Sequence, residues 1–248
     1  MIVCVIVIGA LIGVYLMRNP ASANPASSSS PSSSASDGTS ASKASSSASS
    51  KPQATGYLTL VNKTHAMPAT YNPQFITIPS KYFLSDNDHH FDATAATYLE
   101  KMIDDAKSDG VNLCIVSAYR SKDYQQNLYQ NDVNKFLQAG ETESQAEADT
   151  EKTVAPPGYS EHQTGLAADL GYNGKSYLNG ASYEQTPAFT WLTAHSADYG
   201  FILRYPKDKV SITQYDYEPW HYRYVGVDNA KAIKSSGECL EEYLGILN

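Results

Sequence analysis

The stretch YSEHQTGLAADL, residues 159–170, carries His162 and Asp169 with six uncharged residues between them. Further along, YEPWHYRYVG, residues 217–226, supplies His221 with Glu218 three positions before it. A catalytic zinc ion takes three protein ligands from among His, Asp, Glu and Cys and keeps a fourth position open for water. His162, Asp169 and His221 make up such a set, for one Zn2+ per chain. Two neutral imidazoles and one carboxylate leave about one net positive charge on the centre, enough to draw the pKa of bound water toward neutrality. Glu218 is then the spare acid. Pro219 lies between it and His221, which places the pair on irregular backbone, as suits a general base held beside a metal without ligating it.

Taken singly, each piece has a plainer reading. A His and an Asp at this spacing are common by chance, and Glu218 with His221 could form a surface ion pair. Asp169 could instead pair with a cationic side chain such as Arg204, and Trp220 could simply pack. The metal reading also makes a demand on the backbone. On a regular strand, residues 162 and 169 would face opposite sides. A bend must fall between them, and Gly165 is where the chain can turn without strain.

The elements that must position these residues can be read from periodicity and caps. Residues 91–110 read as a helix capped by Asp92, with Ala95, Leu99, Met102, Ile103 and Ala106 as its apolar stripe and Gly110 as its stop. Residues 111–117 read as a buried strand, with Arg120 just beyond it. A second helix follows from 121 to 139, and Thr142 with Gln145 marks a third through a capping box. Segment 156–170 reads as loop and then strand. Thr186, Pro187 and Gly200 frame a further helix. FILRYP (201–206) and residues 209–225 read as strands, and one or two short helices close the chain. The expected fold class is α+β, with a mainly antiparallel sheet flanked by helices.

Three regions follow from composition. Residues 1–18 open with seventeen residues free of charge, MIVCVIVIGALIGVYLM, before Arg18, and read as a membrane anchor or signal segment. Residues 19–54 are dominated by Ser, Ala and Pro and read as a disordered linker. Residues 55–248 are long enough for one core. The net charge of −8 argues against a nucleic-acid partner. Cys114 and Cys239 leave two readings open: an extracytoplasmic disulfide, or Cys114 as a plain buried strand residue. His89 and His90 read as a solvated loop, His195 as a surface or boundary residue on a helix, and His65 gives no signal.

In combination, SEHQTGLAADL, YGFILRYP, YEPWHYRYVG and the upstream SAYRS (117–121) resemble the VanY-type D-alanyl-D-alanine carboxypeptidases. These are zinc enzymes of bacterial cell-wall metabolism that share a fold with the VanX dipeptidases and the hedgehog signalling domain. The resemblance runs from about residue 56 to the end of the chain. It implies a hedgehog/DD-peptidase-like domain with zinc on His162, Asp169 and His221, and Glu218 as catalytic base. It further implies that Arg120 faces the substrate oxyanion, with Ser160 and Gln125 helping to bind substrate. The implied partner is a peptidoglycan stem peptide. The implied reaction is release of its C-terminal D-alanine, with L,D-carboxypeptidase action on tetrapeptide stems and a non-catalytic wall-binding module as alternatives. An extracytoplasmic monomer, held at the membrane by its N-terminal segment or secreted if that segment is cleaved, is expected.

Overall fold

A computed structural model describes residues 51–85, 88–177 and 180–247. The anchor or signal segment and nearly all of the expected linker lie outside these residues. Lys51, at the end of that linker, is already tied down. Its ammonium donates to Glu238 and to the Glu242 carbonyl, both at 2.8 Å. Among the described residues no helix is long and apolar enough to cross a membrane.

A short antiparallel ribbon, β1 (Phe75–Thr77) and β2 (His90–Asp92), leads directly into α1 (Ala93–Ser108). Asp92 caps α1 through its carboxylate, which accepts from the backbone N–H groups of Thr94 and Ala95. The apolar stripe of α1 is fully or almost fully buried from Ala95 to Ala106. Next come β3 (Leu113–Ser117), α2 (Lys122–Gln138), whose cap Ser121 accepts from the Tyr124 N–H, and α3 (Glu143–Thr150), which opens on the expected capping box. β4 (Ala167–Tyr172), α4 (Gly180–Tyr183), α5 (Pro187–His195), β5 (Phe201–Leu203), α6 (Val210–Thr213), β6 (His221–Tyr224), α7 (Val227–Ser236) and α8 (Leu240–Leu244) complete the chain.

The main sheet has the order β3-β4-β6-β5 and is antiparallel at every pairing. Side chains alternate between its faces. Ala168 and Leu170 of β4, with Tyr222 and Tyr224 of β6, join Leu99, Met102, Ile115 and Phe201 in the principal core. Asp169, His221 and Arg223 therefore face the other way. Burial of the apolar face sets the register, because a slip of one residue would turn every one of these side chains over.

Several expectations need correction. Residues 209–225 do not form a strand. The segment folds as α6, a loop and only then the four residues of β6. Cys114 and Cys239 are both free, so the disulfide reading falls and Cys114 is a strand residue. Arg204 does not pair with Asp169. It is fully buried and donates to Glu161 through Nε at 2.8 Å and to both oxygens of Glu241 at 2.6 and 2.9 Å. Arg223, also fully buried, donates to the same Glu161 oxygen at 2.6 Å and to the Thr59 carbonyl at 2.8 Å. Two arginines and two glutamates thus balance one another beneath the sheet. Such pairs cost desolvation to assemble, and losing one partner leaves a buried charge uncompensated.

Candidate metal centre and substrate cleft

Asp169 sits on β4 with a neighbour on each side: its register partner is His221 on β6 and Ser117 on β3. The sheet alone thus brings one carboxylate and one imidazole together across 52 positions of sequence. His162 arrives from outside the sheet. It lies in a 3-10 turn, Glu161–Thr164, which ends at Gly165 in the left-handed region with φ of 70°. That is the bend the spacing requires. A Cβ at Gly165 would stand 2.5 Å from the Phe75 ring and 3.2 Å from the Asp92 backbone nitrogen, so close packing and backbone conformation both call for glycine.

Glu218-Pro219-Trp220-His221 forms a tight turn closed by the His221 N–H donating to the Glu218 carbonyl at 3.1 Å. Proline at the second position fits such a turn. Closure brings the first and last side chains together, with Glu218 Oε2 3.5 Å from His221 Nδ1.

His162, Asp169 and His221 are buried, and one donor atom from each lies within 4.8 Å of the others. Asp169 Oδ2 is 3.4 Å from His162 Nε2, and its Oδ1 is 3.3 Å from His221 Nδ1. Donors placed tetrahedrally around zinc at about 2.1 Å stand about 3.4 Å apart. His162 Nε2 and Asp169 Oδ1 are buried with no hydrogen-bond partner. Buried polar atoms are rarely left unpaired. A cation between them would satisfy both, so the donor set fits the zinc implied by the sequence.

Electrostatics favour the same arrangement. Burial first, and the Arg120 charge second, push His162 down to about 4, so its imidazole is neutral with a free lone pair. Its Nδ1 donates to the Ala118 carbonyl at 2.6 Å, which turns Nε2 toward Asp169. Burial acts to raise Asp169, but the two histidines hold it well below the usual carboxylate range. Burial acts to lower His221, but the carboxylates of Asp169 and Glu161 facing its two nitrogens outweigh it and lift the ring to about 9. A metal must therefore displace a proton there. Burial pushes Glu218 up to about 8. A divalent cation nearby draws such a carboxyl back down, toward the range a general base needs.

Arg120 lies against the opposite edge of Asp169. Its guanidinium donates to Asp169 Oδ2 at 3.2 Å, to Gln125 Oε1 at 3.1 Å and to the Ser117 hydroxyl at 3.1 Å. Its backbone N–H also reaches the His162 carbonyl at 3.3 Å. A cleft of about 450 Å³ opens over the group and is lined by all three candidate ligands, Glu218, Arg120 and Ser160. Gln125 does not line it. That side chain is fully buried, with one end accepting from Arg120 and the other donating to the Ala155 carbonyl at 2.8 Å. Its place is behind the arginine, as a support.

His65, His89, His90 and His195 stand apart from this cluster. His90 pairs with Asp88 at 2.6 Å, and His89 stacks on Phe83. Reading the sequence missed Glu161, Ser117, Tyr205 and Tyr215. Tyr205 packs its ring 4.8 Å from that of His221, and the Tyr215 ring lies tilted against Tyr205 at 4.6 Å. Glu161 had one legible signal, an acid lodged between two candidate site residues.

Known proteins resemble this chain in both sequence and fold. The sequence pattern of the VanY family, D-alanyl-D-alanine carboxypeptidase, matches residues 88–227. A D-alanyl-D-alanine carboxypeptidase of Enterococcus faecalis (strain ATCC 700802 / V583) is 39% identical over 187 residues, 75% of this chain and 65% of the relative. The chain thus spans a little under two thirds of that protein's length. Among solved structures, a variant of the vancomycin-resistance D,D-pentapeptidase VanY in complex with Zn(II) superposes with a TM-score of 0.64 at 38% identity, covering 75% of this chain and 97% of that one. The LdcB LD-carboxypeptidase superposes with a TM-score of 0.66 at 40% identity, over 77% of this chain and 87% of that one. With the family pattern spanning more than half its length, this chain belongs to the VanY D-alanyl-D-alanine carboxypeptidase family.

Proposed function

We propose that the protein is a zinc-dependent carboxypeptidase that removes the C-terminal D-alanine from peptidoglycan stem peptides. The observation that carries this reading is the convergence of His162, Asp169 and His221 within 4.8 Å, with Glu218 at one edge and Arg120 at the other. Zinc held by these three residues supplies Lewis-acid polarisation and lowers the pKa of water.

The chain's own groups do the rest. Glu218 accepts the proton of the attacking water and returns it to the departing amine, both within one buried pocket. Arg120 keeps its charge at any working pH and presents N–H donors where the carbonyl oxygen gains negative charge. Gln125 and Ser117 hold the guanidinium in that pose. Ser160 lines the cleft two residues before the first proposed ligand, which supports a role in binding substrate.

A second reading keeps the machinery and shortens the substrate. The match to LdcB is as good as the match to VanY, which favours L,D-carboxypeptidase action on tetrapeptide stems as the alternative. Incubation with purified pentapeptide and tetrapeptide stems, followed by weighing of the products, separates the two. The first reading expects loss of one alanine from the pentapeptide and an untouched tetrapeptide. The reverse pattern would assign the L,D activity, and no cleavage of either stem would refute both. On either reading the enzyme works outside the cytoplasm, with residues 1–18 as anchor or signal and the Ser/Ala/Pro-rich residues before Lys51 as tether, because its substrate lies in the wall.

A further inference from the structure

His162 and His221 are oriented in the same manner by different groups. His162 Nδ1 donates to a backbone carbonyl, which leaves Nε2 to face Asp169. In His221 the roles of the nitrogens are exchanged. Nδ1 faces Asp169 and Glu218, and Nε2 faces Glu161 Oε2, 3.5 Å distant. Both atoms of that last pair are buried, and neither makes a hydrogen bond, so each is left facing the other.

Glu161 is free to serve in this way because of how its carboxylate is shared. Arg204 and Arg223 both donate to Oε1, at 2.8 and 2.6 Å. Oε2 is left over. Arg204 has Glu241 as a second counter-ion, so two positive and two negative charges cancel without His221. A carboxylate held rigidly by two fully buried arginines cannot swing away from the imidazole.

We propose that Glu161 is a positioning residue that keeps the proton of His221 on Nε2 and so presents the Nδ1 lone pair to the metal. This rests on the zinc reading of the site. A carboxylate behind a ligating imidazole fixes the tautomer and raises its basicity, and removing such a partner typically weakens metal binding by about 10–100-fold.

The test uses the full chain and zinc itself. In zinc-loaded protein carrying 15N-labelled histidine, His221 is expected to bind through Nδ1 with its proton on Nε2. Competition against a chromophoric chelator should show Glu161→Gln raising the zinc Kd by about 10–100-fold. Glu241→Gln is the control. It breaks the same ionic network without touching His221, so the Tm should fall while the zinc Kd stays within about twofold of wild type. Equal losses of affinity in the two variants would reduce Glu161 to a structural counter-ion, and a Kd unchanged in Glu161→Gln would also overturn the proposal. If Glu161→Gln fails to fold, the wild-type spectrum decides: ligation through Nε2 refutes it. Wild-type protein that binds no zinc would refute the site reading beneath it, a result distinct from all of these.

Discussion

Glu218→Gln is expected to retain one zinc ion per chain and to lower hydrolysis of the stem peptide by about 10²–10⁴-fold, the usual contribution of a positioned acid–base group. Glutamine has almost the same shape as glutamate, so the turn closed by the His221 N–H keeps its geometry. What is lost is the capacity to take a proton from water and give it to the amine. His221→Ala should behave differently, because it removes one of the three proposed ligands, the imidazole that faces Asp169 at 3.3 Å, and should lose zinc and activity together. Metal analysis beside a peptide-release assay distinguishes base from ligand. Near wild-type hydrolysis by Glu218→Gln would remove it from the chemistry, and loss of zinc in that variant would make it a ligand.

Arg120→Met is expected to lower kcat by about 10²–10³-fold, as for loss of one oxyanion donor, with a smaller change in KM. The guanidinium is fixed at three points, by Ser117, Gln125 and Asp169. Its remaining N–H groups can meet a carbonyl oxygen without reorganisation. Arg120→Lys keeps the charge but cannot reproduce a planar fork held at three points, so it should recover less than about tenfold of the loss. Steady-state kinetics on both variants make the check. A rise in KM at constant kcat would instead mark Arg120 as a group that binds the ground state and the transition state equally.

Much of this site could be read before any coordinates because its local parts carry their own signals. Gly165 was the one place where the chain could turn between His162 and Asp169, and it adopts the left-handed conformation there. Pro219 kept Glu218 off a helix, and the resulting turn pairs it with His221. The caps at Asp92, Thr142 and Thr186 fixed helix starts to within a residue or two. Long-range facts left no such mark. That Asp169 lies opposite both Ser117 and His221 follows from strand order and register, which a single sequence does not display.

The misreadings have physical causes too. Residues 209–225 alternate enough β-formers to suggest a strand, yet only His221–Tyr224 finds partners in the sheet. The ribbon of β1 and β2 is three residues deep, too short for any period to show. Arg204 drew attention as a cation near Asp169, but its charge is spent on Glu161 and Glu241. Gln125 is the subtler case. The family resemblance implied a contact with substrate, and only burial shows that it acts from behind the arginine.

A single ion shared by residues 162, 169 and 221 is what the proposed chemistry requires. Anomalous scattering at the zinc absorption edge, from crystals of the purified protein, is the most direct measurement. One peak is predicted, bounded by His162 Nε2, the Asp169 carboxylate and His221 Nδ1. Crystals grown with zinc supplied that show no peak there, or show it on other side chains, would contradict the account.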